Sequence, residues 1–250
     1  MEKHVKRKLI LILFFAIAMG FLEAIVVVYL RELYYPQGFN FPLVITNDRI
    51  FIAELLREIC TIVMLLSLAL IAGKNRLQAF AFFLFSFAVW DIFYYVALKL
   101  LLNWPSSLLT WDILFLIPIT WLGPVFAPLI CSVTMIILAL VLLLTENRNN
   151  NTKLRKIEWS FLYLGAFIIF ITFILDYSKI LITNASSGNW LTFIKSETFK
   201  NIITNYIPVY YHWDLFALGM LLIYLAIFLI IKKNGILAHL QKKEKISNSD

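Results

Sequence analysis

Four carboxylates and one arginine interrupt long apolar runs of this chain: Glu23, Glu54, Glu58, Asp91 and Arg57. An ionisable side chain inside a bilayer is costly, so it is normally paired, turned to a water-filled cavity or part of a site. In "ELLRE", Glu54, Arg57 and Glu58 are spaced i, i+3, i+4, which puts all three on one helical face. The arginine can neutralise one glutamate and leaves the other for a different partner. Asp91, Tyr94, Tyr95 and Lys99 also follow one face. Ala16, Gly20 and Ala24 form a small-residue stripe that lets a neighbouring helix come close, so Glu23 beside it should face protein rather than lipid.

A Trp-Asp pair recurs three times, in "VWDIFYY" from Val89, "TWDILFL" from Thr110 and "HWDLFAL" from His212. The chain has six Asp and seven Trp, so three such pairs need a cause. Asp112 and Asp214 fall where helices are expected to start. There an Asp caps free N–H groups and favours the dipole, with Trp at the membrane interface. Asp91 falls in mid-run, where no helix starts. It must be an ion-pair partner, with Arg57 or Lys99, or part of a site with Trp90 and Tyr94.

The acid–base candidates are therefore Glu23, Glu54, Glu58, Asp91 and His212, the one histidine expected away from the cytoplasm. Candidate binding residues are Arg57, Asp112, Asp214, Trp90 and Tyr94. Carboxylates with one histidine suit either an oxygen-ligated divalent cation or proton transfer at raised pKa. The metal and any cofactor remain unassigned, as does enzymatic character. Cys60 and Cys131 lie in apolar runs and read as small hydrophobes.

These residues need elements to hold them. The chain is 62% hydrophobic and 15% charged, which excludes a soluble domain and marks a polytopic membrane protein. The net charge of +7 is then a topology signal rather than a nucleic-acid signal, and no nucleic-acid partner is expected. Apolar runs predict six spans, about 9–34, 50–72, 78–101, 123–145, 158–183 and 210–231, within one helical domain over 1–231. The run from Leu9 reads as an uncleaved first span. Residues 104–122, broken by Pro118, predict a re-entrant or interfacial helix on the outer side. Residues 232–250 read as a basic cytoplasmic tail, and 184–209 as an outer loop that includes a short amphipathic stretch.

With the N-terminus inside, segments 1–8, 73–77, 146–157 and 232–250 hold 15 of the 22 Lys and Arg. That places both termini in the cytoplasm and the chain in a bacterial inner membrane. It also puts the ionisable groups singled out above in the outer half, over an inner half whose polar side chains are Ser, Thr, Gln and Tyr. The expectation is an all-α, six-span bundle with an outward-facing, carboxylate-lined pocket. It would bind or process a lipid-like or amphiphilic substrate of the outer leaflet. The alternatives are a structural subunit or assembly factor of a membrane complex, and an ion- or proton-coupled transporter. Expected partners are membrane lipids, a lipid-like small molecule and possible protein subunits.

Overall fold

The structure, a computed structural model, describes residues 2–44, 47–148, 152–184 and 201–235. Among the described residues six long helices carry the fold: α1 Lys3–Tyr34, α2 Asp48–Ala72, α3 Arg76–Leu102, α4 Phe126–Arg148, α5 Lys156–Asn184 and α6 Trp213–Lys233. Each is long and apolar enough to cross a membrane. The chain is therefore a multi-pass membrane bundle. Large apolar side chains such as Phe14, Val63, Ile71 and Phe167 stand on its outside, where a lipid-facing surface requires them.

Local sequence explains several boundaries. Asn47 caps α2 by accepting from the Arg49 N–H at 3.0 Å, and Asn75 caps α3 by accepting from Gln78 N–H at 2.9 Å. Asn103, in the left-handed region at φ 52°, ends α3. Asp214 lies in the first turn of α6 and Lys232 and Lys233 in its last, each complementing the helix dipole.

Small residues set the closest crossings. A Cβ on Gly20 would come within 2.7 Å of the Trp90 carbonyl, so only glycine allows α1 to lie this close to α3. Ala16 and Ala24, one turn to either side, are fully buried in the same seam. Gly165 and Gly219 play this part for α5 and α6, each facing the other's carbonyl. On α2 the buried stripe runs Glu58, Thr61, Leu65, Ala69 and Ala72, polar near its start and apolar beyond. The apolar half packs with Ile12, Ala16, Met19, Phe82, Leu138 and Leu142 into the main core.

The expected broken helix over 104–122 is not formed. The segment is an antiparallel hairpin of β1 Trp111–Phe115 and β2 Trp121–Pro124, paired Trp111 to Pro124, Asp112 to Gly123 and Ile113 to Leu122. Trp, Ile and Phe favour a strand, and Pro118 falls in the connecting turn, where it costs no ladder bond. The hairpin folds back into the bundle. Leu116 in its turn meets Glu58, ten residues into α2, about 15 Å along that helix. Trp121 stacks on Phe173 of α5, eleven residues from that helix's end. Non-helical backbone at this depth must be enclosed by protein. Strand pairing and Glu58 provide that.

The bundle's opposite end carries its own buried ions, a departure from the expectation of an uncharged inner half. Glu158, fully buried in the first turn of α5, lies 2.8 Å from Arg155 Nε and 3.8 Å from Lys233 Nζ. Buried Glu146 accepts from Asn75 and, at 3.1 Å, from the Thr152 N–H. These contacts tie helix ends together across the loops. The tail beyond Gly235 and residues 189–200 of the amphipathic stretch 189–203 lie outside the described residues.

Candidate functional site

Between α1, α2, α3 and the hairpin lies a cavity of about 390 Å³. Eight of the ten candidate residues line it: Glu23, Glu54, Arg57, Glu58, Trp90, Asp91, Tyr94 and Asp112. They come from four elements. The Gly20 crossing sets Glu23 beside Trp90, whose indole N–H donates to Glu23 Oε2 at 2.9 Å. The one-faced "ELLRE" spacing turns Glu54, Arg57 and Glu58 inward, and the face after Trp90 presents Asp91 and Tyr94.

Arg57 is the joint between α1 and α2. Its Nη1 lies 2.9 Å from Glu23 Oε1, and its Nε donates to Glu54 Oε2 at 2.9 Å. The i, i+3 pairing expected within α2 is present, with a second carboxylate supplied by α1. Glu58 receives no cation within ion-pair distance among the described residues. Both of its oxygens accept from the Leu116 N–H, at 3.1 and 3.0 Å. Glu58 thus satisfies a backbone donor that the hairpin turn would otherwise bury unpaired.

Asp91 pairs with neither Arg57 nor Lys99. Its Oδ2 accepts from the Ser132 hydroxyl of α4 at 2.7 Å, while Lys99 donates to the carbonyls of Asn103 and Pro105.

Asp112 does not cap a helix, contrary to the sequence expectation. It sits on β1, 2% exposed, 3.3 Å from Arg31 Nη2, and accepts from Tyr95 Oη at 3.2 Å. On the hairpin, outside the six spanning helices, burial pushes its pKa up to about 6, against the lowering influence of Arg31.

Arg31, in the first apolar run and not among the candidate residues, also belongs to this site. It is 7% exposed and lines the cavity. Its Cζ lies 3.7 Å from the Trp104 ring centroid and 4.5 Å from that of Phe39. A signal existed: Arg31 follows Ala24 by seven residues, so it continues the buried stripe of Ala16, Gly20 and Ala24. The part played by the Leu116 N–H carried no such signal, because it is a backbone group.

His212 and Asp214 do not join this group and are not among the cavity's lining residues. His212 Nε2 lies 3.5 Å from Lys179 Nζ, and its Nδ1 lies 3.9 Å from Asp214, which is largely exposed. Asp214 fits the helix-start role instead. Asp176, near the end of α5, accepts from Tyr206 Oη at 2.8 Å.

Among the described residues, no three of His, Cys, Asp and Glu converge in the manner of a metal site. The cavity combines paired and cation-free carboxylates with two arginines and an apolar wall that includes Val27, Leu30, Leu43 and Ile113. Such an enclosure can hold a ligand that is polar at one end and apolar at the other. Comparison of the chain with protein-family models, curated proteins and solved structures found no match.

Proposed function

We propose that this protein binds or processes a lipid-like amphiphile of the outer leaflet, taken into the cavity between α1, α2, α3 and the hairpin. The observation that carries the reading is the cavity itself: about 390 Å³, charged on one part of its wall and apolar on another. Its apolar side includes Ile50 and half-exposed Phe51 at the start of α2, and these would meet the acyl chain. Beyond Glu23 and Asp91 the bundle packs as an apolar core, which favours a one-sided binding site over a path across the membrane. The positive-inside charge pattern supports an outward-facing mouth.

Within this reading the charged groups divide. Glu23, Glu54 and Arg57 hold two helices together, and Glu58 holds the hairpin. Asp91 receives one neutral hydroxyl, so it is the group free to accept or give a proton to a ligand. The alternative of a structural subunit or assembly factor draws on the same list, since most of these groups already have partners. It predicts an empty cavity and a docking partner.

Native mass spectrometry of the full chain in mild detergent, wild type beside Asp91→Asn, separates the two. A co-purifying amphiphile that is lost in Asp91→Asn, with the fold intact, supports binding. A wild type that retains no amphiphile, with a variant that unfolds much more readily, overturns it.

A further inference from the structure

The cavity's charge pattern narrows the head group, on the reading that the cavity holds an amphiphile. Two unfinished electrostatic features face it. The first is Arg31. Trp104 and Phe39 lie against its guanidinium, which leaves its edge for hydrogen bonds. On that edge Nη2 reaches Asp112 at 3.3 Å, while buried Nη1 has no hydrogen-bond partner among the described residues. Buried donors are nearly always paired, so a guanidinium with an unused arm, in a residue that lines the cavity, suits a further acceptor. The guanidinium fork is permanently charged and matches an oxyanion through two parallel bonds.

The second feature is two carboxylates of the lining, Glu58 on α2 and Asp91 on α3. Both line the cavity, and among the described residues both are hydrogen-bonded only by neutral donors, the Leu116 N–H and the Ser132 hydroxyl. Neither has a Lys or Arg within ion-pair distance among the described residues. Trp90 and Tyr94 line the same enclosure, and aromatic faces accommodate an ammonium group.

A ligand of one sign answers only half of this. A purely anionic head would meet Glu23, Glu54, Glu58, Asp91 and Asp112 against two arginines. A purely cationic head would leave the free arm of Arg31 unpaired. Arg31, whose own carboxylate partner is Asp112, stands apart from Glu23: it follows it by eight residues, about 12 Å along α1. Two ion-pair contacts and a short linker between opposite charges fill such a span.

We infer that the cavity takes a zwitterionic amphiphile, with its oxyanion on Arg31 and its ammonium against Glu58 and Asp91. The oxyanion is a phosphate ester or a carboxylate.

The test is binding of defined probes to the full chain in neutral maltoside detergent, read by calorimetry. The probes are a dihexanoyl lipid with a phosphoethanolamine head, the same lipid with a phosphoglycerol head, hexylammonium, a neutral hexyl glycoside and free phosphoethanolamine. The zwitterionic lipid is expected to bind about tenfold or more tightly than the phosphoglycerol lipid, the scale of one hydrogen bond between charged groups. Arg31→Gln should weaken the zwitterionic lipid by a similar factor and leave hexylammonium unchanged. Asp91→Asn should weaken the zwitterionic lipid and hexylammonium and leave the phosphoglycerol lipid unchanged. Arg31→Lys keeps the charge without the fork, and guards against a folding defect in Arg31→Gln; it too should bind the zwitterionic lipid more weakly.

Equal affinity for the zwitterionic and phosphoglycerol lipids, or wild-type binding by folded Arg31→Gln and Arg31→Lys, overturns the inference. If charged and neutral heads bind alike, the amphiphile reading stands and the inference falls. If no lipid probe binds, the amphiphile reading itself fails. If free phosphoethanolamine binds as tightly as its lipid, the ligand is a soluble zwitterion and the amphiphile reading fails while the two-pole site stands.

Discussion

Replacing Arg57 by methionine removes the cation that pairs with a carboxylate on both α1 and α2. Arg57 lies 2.9 Å from both Glu23 and Glu54, and the three side chains are 21%, 13% and 17% exposed. An exposed ion pair contributes about 0–1 kcal/mol. Breaking a buried one costs about 3–5 kcal/mol, because a charge is left without compensation. With some four-fifths or more of each side chain covered, the low end of the buried range applies, about 3 kcal/mol. Most of that cost is the stranding of two carboxylates rather than lost attraction. The triple variant Glu23→Gln, Glu54→Gln, Arg57→Met strands no charge and should return to within about 1 kcal/mol of the wild type. Gln at position 23 also keeps an acceptor for the Trp90 indole. Reversible unfolding by SDS titration in bicelles, followed by circular dichroism, gives both differences. If Arg57→Met unfolds like the wild type, the pairs are not buried contributors. If the triple variant is as unstable as the single one, the loss comes from packing of the arginine stem and the charge argument is wrong.

Asp91→Asn keeps an acceptor for Ser132, so its unfolding free energy should stay within about 1 kcal/mol of the wild type while amphiphile binding is lost; a large destabilisation would make Asp91 a structural group. Leu116→Pro deletes the N–H that Glu58 accepts. Cleavage at the hairpin by an added protease should rise severalfold, and an unchanged rate would show that the Glu58 contact does not hold the turn. Gly20→Val forces a Cβ to within 2.7 Å of the Trp90 carbonyl. It should cost about 3 kcal/mol or more by the same SDS titration, as overpacking does, and a neutral result would mean that α1 and α3 are not this close. Asp112 gives a pH signature. Its folded pKa, about 6, lies above the unfolded value near 3.8, so the folded protein holds this proton more tightly. Its contribution is present in full below about pH 3.8 and is lost as pH rises through 6, on the order of 2–3 kcal/mol in total. Arg31, Tyr95 and the neighbouring carboxylates face this group, so the comparison to make is the slope of unfolding free energy between pH 4 and 7 in Asp112→Asn against the wild type. An unchanged slope would sink the assignment.

How far the sequence reached depended on the range of the interaction. Span count follows from composition, since a run of about 20 apolar residues has no soluble alternative. All six helices lie on the runs that predict them. The Glu54–Arg57 pair and the inward stripe through Gly20 are also local, fixed by helical periodicity within one element. The hairpin was not legible as a strand pair. Residues 104–122 are apolar and proline-broken, which fits either a broken helix or a hairpin. The choice was made by partners far along the chain: Glu58 for the Leu116 N–H, Arg31 and Tyr95 for Asp112, and Phe173 for Trp121. Asp112 accordingly resembled a helix cap in sequence and became a buried ion-pair partner in the fold.

The residues that could do chemistry were named by their cost in lipid, which is a property of side-chain type alone. Which of them share one cavity was decided by helix packing: Gly20 sets Glu23 against Trp90, α2 brings Arg57 to Glu23, and α6 leaves His212 beside Lys179. A sequence records which groups are too polar for a bilayer. Only the packed structure decides which of them compensate one another, because Coulomb energy and hydrogen bonding act over a few ångströms between residues such as Arg31 and Asp112, 81 positions apart in the chain.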